Sequence, residues 1–145
     1  MTIGRICHRE VDTAEPHESV RAAAQRMGSR AVGTLLVLDA ARRPVGILTD
    51  RDLAVRVVGE GRDPNLVHVQ DVMSHKPHTV AELAPLEDAI AIMRTHGVRR
   101  VPVVSAKGDL VGMITLDDVL GILAEDLWSM RRVVEKSSPR VLAAP

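Results

Sequence analysis

The chain contains no phenylalanine and no tyrosine, and Trp128 is its only large aromatic residue. Any core must therefore be aliphatic. There is one cysteine, Cys7, so neither an intramolecular disulfide nor a cysteine-based metal cluster can form. No apolar run approaches the ~20 residues that a transmembrane helix needs. The opening Met1-Thr2-Ile3-Gly4-Arg5 lacks the apolar stretch of a signal peptide. Neither sign of charge is in excess: 19 Lys and Arg balance 19 Asp and Glu, and the pI is near 7.0. That balance argues against nucleic acid or an acidic membrane surface as the main partner. The expectation is a soluble, cytoplasmic protein.

What is present is enough apolar material for a globular core, 46% of 145 residues. That length suits one domain or two small halves sharing a core. The halves are visible. Val45-Gly46-Ile47-Leu48-Thr49-Asp50-Arg51-Asp52 returns 66 residues later as Val111-Gly112-Met113-Ile114-Thr115-Leu116-Asp117-Asp118. The same offset, without a gap, carries Thr13 to Thr79, Ala23 to Ala89, Met27 to Met93, Val32 to Val98 and Val37 to Val103. This is an internal duplication, and units this short should pack on each other.

Each copy opens with a short turn, Gly4 to His8 or Gln70 to Ser74, which places Cys7 at the position of Met73. An extended piece follows, Val11–Ala14 or His78–Val80. Val20, Ala23, Ala24 and Met27, and then Leu86, Ala89, Ile90 and Met93, have the i, i+3, i+4, i+7 spacing of a helix face. Pro85 suits the start of the second such helix and Gly97 its end. Two apolar runs come next in each copy: Thr34–Leu38 with Pro44–Leu48, and Val101–Val104 with Leu110–Ile114. They read as paired strands joined by turns. A further helix starts at each Thr, the first ending near Gly59-Glu60-Gly61, with Gly59 to Pro64 as the link.

This order of elements, ending in G-x-x-T-x-x-D at Gly46–Asp52, resembles the cystathionine-β-synthase (CBS) domain. Two copies in tandem resemble the pair called a Bateman module, over about residues 3 to 127. Thr49-Asp50-Arg51-Asp52-Leu53, with Gly61-Arg62-Asp63-Pro64 after it, further resembles small bacterial stand-alone CBS-pair proteins. The implied fold is α/β (α+β): two CBS domains related by a pseudo-two-fold axis, each a small sheet packed by two helices. The expected boundaries are 3–60, 61–127 and a C-terminal helix extension with a disordered tail at 128–145.

Thr-x-x-Asp is in the first place a helix N-cap, because the Thr hydroxyl accepts a first-turn N–H and the Asp reaches back. The same helix start offers N–H groups to a phosphate. Gly46 and Gly112, lacking a Cβ, allow a ligand or a neighbouring backbone to come close. A carboxylate three residues past the Thr can accept from both hydroxyls of a ribose. The family resemblance assigns that role to Asp52 and Asp118, puts Thr49 and Thr115 near the phosphate, and places adenine between the halves. Arg51 stands beside the expected phosphate of the first site. Its counterpart Asp117 would repel one, an effect that Arg99 and Arg100 could offset. The first site is therefore expected to be the better phosphate site.

Other signals are weaker. His75 and His78 are three apart, but the four ligands of a structural zinc are not in view. Cys7 reads as a small core residue. No catalytic motif stands out. From Leu116 the apolar positions run on through Leu120, Leu123, Leu127, Met130 and Val134, a seam longer than one half needs, ended at Ser137-Ser138-Pro139. The expectation is a regulatory, non-enzymatic module with no obligatory cofactor, sensing AMP, ATP or NAD. It is expected to dimerise with itself and to act on an unidentified effector protein. The alternative is an interaction protein that works through its dimer surface with empty clefts.

Overall fold

The structure is a computed structural model, and it describes residues 1–138. The expected disordered tail from Pro139 onward lies outside the described residues. In chain order the elements are β1 (Thr13–Ala14), α1 (Val20–Arg30), β2 (Thr34–Leu38), β3 (Pro44–Thr49) and α2 (Asp50–Leu53). They continue with α3 (Val69–Val72), β4 (Ser74–His75), β5 (Val80–Ala81), α4 (Leu86–His96), β6 (Arg100–Val104), β7 (Leu110–Thr115) and α5 (Leu116–Ser137). A 3-10 turn at Ile3–Arg5 precedes them, and a π-helical turn at Ala54–Val58 closes α2.

Two sheets result, ordered β1-β2-β3-β4 and β5-β6-β7. In each, the first strand runs parallel to the second and the second antiparallel to the third. The parallel step requires a crossover, and α1 and α4 supply it. Ser19 caps α1 by accepting from the Ala22 N–H, and Val20, Ala23 and Met27 are buried beneath it. Ala24 and Ile90, expected on the buried faces, are exposed instead. The buried stripe is narrower than the periodicity suggested, because each helix lies on a sheet along one side only.

The continuous apolar run of β2 is explained by burial on both faces. Leu35 and Val37 point into a first core with α1, while Leu36 and Leu38 point the other way, onto Met113 of the second half. Val11, Ile47 and Leu110 complete this central cluster. It is where the halves meet, and its edges are the walls of the clefts described below.

The halves are interlocked by exchange of their opening segments. Ile3 sits in the second core, held by Ile3 N–H to the Ala84 carbonyl at 3.0 Å and Gly4 N–H to Glu82 at 2.8 Å. Val69, Val72 and Met73 sit in the first core, and β4 extends the first sheet. His8 takes the place of β4 in the second sheet through its bridge to Met113. Each repeat therefore closes the core of the other.

On α5 only Val119 is fully buried. Leu120, Leu123, Leu127, Met130 and Val134 are all exposed, as is Trp128, over which Arg131 stacks at 5.3 Å. Among the described residues no helix is long and apolar enough to cross a membrane.

Candidate functional site

The two Thr-x-x-Asp segments form the same local structure. Thr49 is extended (φ −114°, ψ 160°), so its hydroxyl faces back along α2 and accepts from the Asp52 N–H at 3.1 Å. The Asp52 carboxylate in turn accepts from the Thr49 N–H at 2.9 Å. Thr115 and Asp118 repeat both bonds, at 3.2 and 2.9 Å, and the Thr115 hydroxyl also donates to Asp118 at 2.7 Å. These are reciprocal capping boxes, each worth about 1 kcal/mol to its helix. The capping expected from the sequence is present at both sites.

Beyond the caps the two sites diverge. Asp52 Oδ1 has Arg56 at 3.9 Å, too far for a hydrogen bond. Asp118 Oδ1 is engaged by His8 Nε2 at 2.6 Å. Burial by itself would push the Asp118 carboxyl up. The bonds from the Thr115 hydroxyl, the Thr115 N–H and His8 outweigh that and hold it below the usual carboxylate value.

Two clefts lie between the halves, and the duplication relates them. The first, about 320 Å³, is walled by the segment His8–Asp12, the start of β2 and the Met113–Thr115 end of β7. The second, about 230 Å³, is walled by Ser74–His78, by Val98 and by Ile47 on β3. At the 66-residue offset Ser74 replaces His8, Lys76 replaces Glu10, His78 replaces Asp12 and Arg100 replaces Thr34. Arg100 lines both clefts. The central apolar cluster reaches both, through Val11, Leu36 and Met113 at the first and Ile47 at the second, and polar residues line the rest, which suits a flat heteroaromatic ring with a polar appendage.

Thr115 and Arg100 line the first cleft, and Asp118 stands behind them, hydrogen-bonded to the lining residues Thr115 and His8. Ile47 places β3, and hence Thr49 and Asp52 beyond it, beside the second. Arg51 is exposed and lines neither cleft, and its N–H donates to Asp50 Oδ1 at 2.8 Å. Arg99 does offset Asp117, at 3.3 Å, in an open pair that contributes little.

Gly46 and Gly112 are both buried and do not reach the ligand space. A Cβ on Gly46 would collide with Met73, and one on Gly112 with the His8 carbonyl and the Cys7 sulfur. Of the two uses open to these glycines, close approach of a neighbouring segment is the one the fold makes. Cys7 packs half-buried in the second core, as expected, and burial pushes its thiol up.

Residues that the sequence reading passed over are His8, Glu10, Asp12 and Lys76. The signal for them was the offset itself, which aligns 8–12 with 74–78 just before each first strand. His75 and His78 line the second cleft, and His78 stacks on His96 with centroids 3.5 Å apart. Among the described residues no three His, Cys, Asp or Glu side chains converge as a metal site would require.

Comparison with known proteins follows the same division of the chain. The CBS domain signature matches twice, over residues 3–59 and 69–125. Hypoxic response protein 1 of Mycobacterium tuberculosis is 34% identical over 126 residues, 86% of this chain and 87% of that one. An uncharacterized protein of Methanopyrus kandleri is 33% identical over 84% of this chain, which spans 62% of that protein's length. The crystal structure of Hypoxic Response Protein I, which holds two coordinated zinc ions, superposes with a TM-score of 0.74 at 32% identity, covering 83% of this chain and 97% of that one. A CBS domain protein of Pyrobaculum aerophilum complexed with AMP gives a TM-score of 0.71 at 26% identity, covering 81% and 89%.

Proposed function

Because the chain belongs to the CBS-domain family, as a tandem pair, we propose that it is a regulatory module whose clefts bind an adenine nucleotide. One observation carries the reading. Two repeat-related clefts, both reached by the central apolar cluster, each lie beside a helix start bearing Thr and Asp. The AMP complex of the Pyrobaculum aerophilum protein supports the choice of ligand class.

In this reading the adenine lies on the central cluster of Leu36, Ile47 and Met113, which both halves contribute. The carboxylate of Asp52 or Asp118 accepts from the ribose hydroxyls. The phosphate meets the N–H groups at the helix start and the Thr hydroxyl, where the helix dipole favours negative charge. A ligand gripped by both halves has different affinity for each of their relative arrangements. It therefore shifts the equilibrium between them, and an effector protein reads that shift. No step of this requires catalysis, and AMP, ATP and NAD share the groups that are read.

Asp52→Ala tests the reading. Loss of a charge-assisted hydrogen-bond acceptor should weaken AMP binding by about 1.5–3 kcal/mol, on the order of ten- to a hundredfold. Calorimetry on folded protein measures this, and unchanged affinity would rule Asp52 out as the ribose ligand.

A second reading rests on a different observation, the uncovered apolar stripe of α5 from Leu120 to Val134. There the protein acts through association with a second copy and its clefts stay empty. A thermal-shift panel of adenine nucleotides separates the two, because a ligand at 100 times its Kd raises stability by about 2.7 kcal/mol.

A further inference from the structure

The clefts are equal in ancestry but differ in the charges along their walls. Two acids that line the first cleft correspond to basic residues at the same repeat positions of the second: Glu10 to Lys76, and Asp12 to His78. Asp12 is paired with Arg30 at 2.8 Å, which leaves Glu10 as the open charge of that wall. Lys76 and Arg100 both line the second cleft and are exposed, and among the described residues neither forms an ion pair.

The carboxylates differ in the same sense. His8 occupies Asp118 at 2.6 Å, and its repeat counterpart, Ser74, has no ring with which to reach Asp52. Lys76 has a further peculiarity, a φ of +52°. A residue with a Cβ is strained in this left-handed conformation, and neither glycine nor asparagine stands there to relieve it. The Lys76 N–H is fixed to the Val45 carbonyl at 3.2 Å, so the turn is held at the edge of the first sheet.

We infer that the clefts are functionally distinct: a phosphate-bearing nucleotide enters only the Ser74–His78 cleft, where Lys76 and Arg100 read its phosphate, while His8 and Glu10 close the other to it. The inference rests on the nucleotide reading above and assigns that reading to one site per chain. The smaller volume of the second cleft does not oppose it, because a phosphate stays partly hydrated at the mouth, where exposed Lys76 stands. Glu10 acts in the reverse sense, since a carboxylate at the mouth repels the same group.

Calorimetry of the full chain with AMP and adenosine as probes tests this. The wild-type chain should bind about one AMP per chain. Lys76→Gln should weaken AMP on the order of tenfold or more and leave adenosine unchanged, since only the phosphate contact is lost. The double change His8→Ser with Glu10→Lys copies the second cleft onto the first, and should raise the stoichiometry to two. Two equal AMP sites in the wild type would overturn the inference. So would equal losses for AMP and adenosine in Lys76→Gln, or a stoichiometry of one in the folded double variant. No binding of either probe by the wild type would instead refute the nucleotide reading itself.

Discussion

Gly112→Ala isolates the contact by which one repeat closes the other. The added methyl would overlap the His8 carbonyl oxygen and lie 2.8 Å from the Cys7 sulfur. The first obstacle is backbone, so no rotamer change can relieve it. That backbone is held by two bonds, His8 N–H to the Met113 carbonyl and Met113 N–H to the His8 carbonyl, each 2.9 Å. Overpacking in a dense interior costs about 1–3 kcal/mol. Losing both main-chain bonds adds about 0.5–1.5 kcal/mol each. The sum, roughly 2–6 kcal/mol, is a large part of what holds a domain of this size folded. A loss of about 3 kcal/mol would lower Tm by roughly 6–12 °C.

Gly121→Ala on α5 is the control. Its Cβ meets nothing within 4 Å, and alanine favours the helix by roughly 0.5–1 kcal/mol. Urea denaturation of both variants measures the difference. If Gly112→Ala unfolds within about 0.5 kcal/mol of the wild type, the segment at Cys7–His8 does not hold the second sheet closed, and the argument from close approach fails.

Two further outcomes are expected. Asp118 has a folded-state pKa below its ordinary value of ~3.9, so its ionised bonds to Thr115 and His8 stabilise the fold above that pH and are lost as pH falls through the folded value. Asp118→Asn should therefore flatten the decline of stability below pH ~4, and an acid-unfolding curve with unchanged slope would remove Asp118 from the account. Truncation after Ala124 removes Leu127, Trp128, Met130 and Val134, which are exposed in the single chain, and should abolish or weaken a dimer built on α5. Light scattering that finds the same mass for the folded truncated chain and the full one would show that this part of the helix holds no dimer together.

Features whose cause is local could be read directly. The capping boxes at Thr49 and Thr115 lie within four residues, and the hairpins β2–β3 and β6–β7 are set by adjacent apolar runs. The duplication carried each such reading from one half to the other. Periodicity failed where it depended on what lay opposite. Ala24 keeps the spacing of a buried face yet is exposed, because the sheet reaches only one side of α1. β4 is two residues long, too short for any alternation to register, and exists only because β3 offers it an edge.

The site divides along the same line. By itself the sequence determined that there are two helix starts with Thr and Asp, that the halves are homologous, and that Glu10 and Asp12 of one correspond to Lys76 and His78 of the other. Only the tertiary structure decided which of these residues meet. Asp118 finds its partner in His8, 110 positions away, and Glu10 and Lys76 become opposing walls of related clefts. It also turned Gly46 and Gly112 from candidate ligand contacts into crossing points for the other repeat's opening segment. The reason is physical. Capping and hairpin pairing are interactions between near neighbours in the chain, whereas the exchange of segments depends on which core each can fill once both have formed.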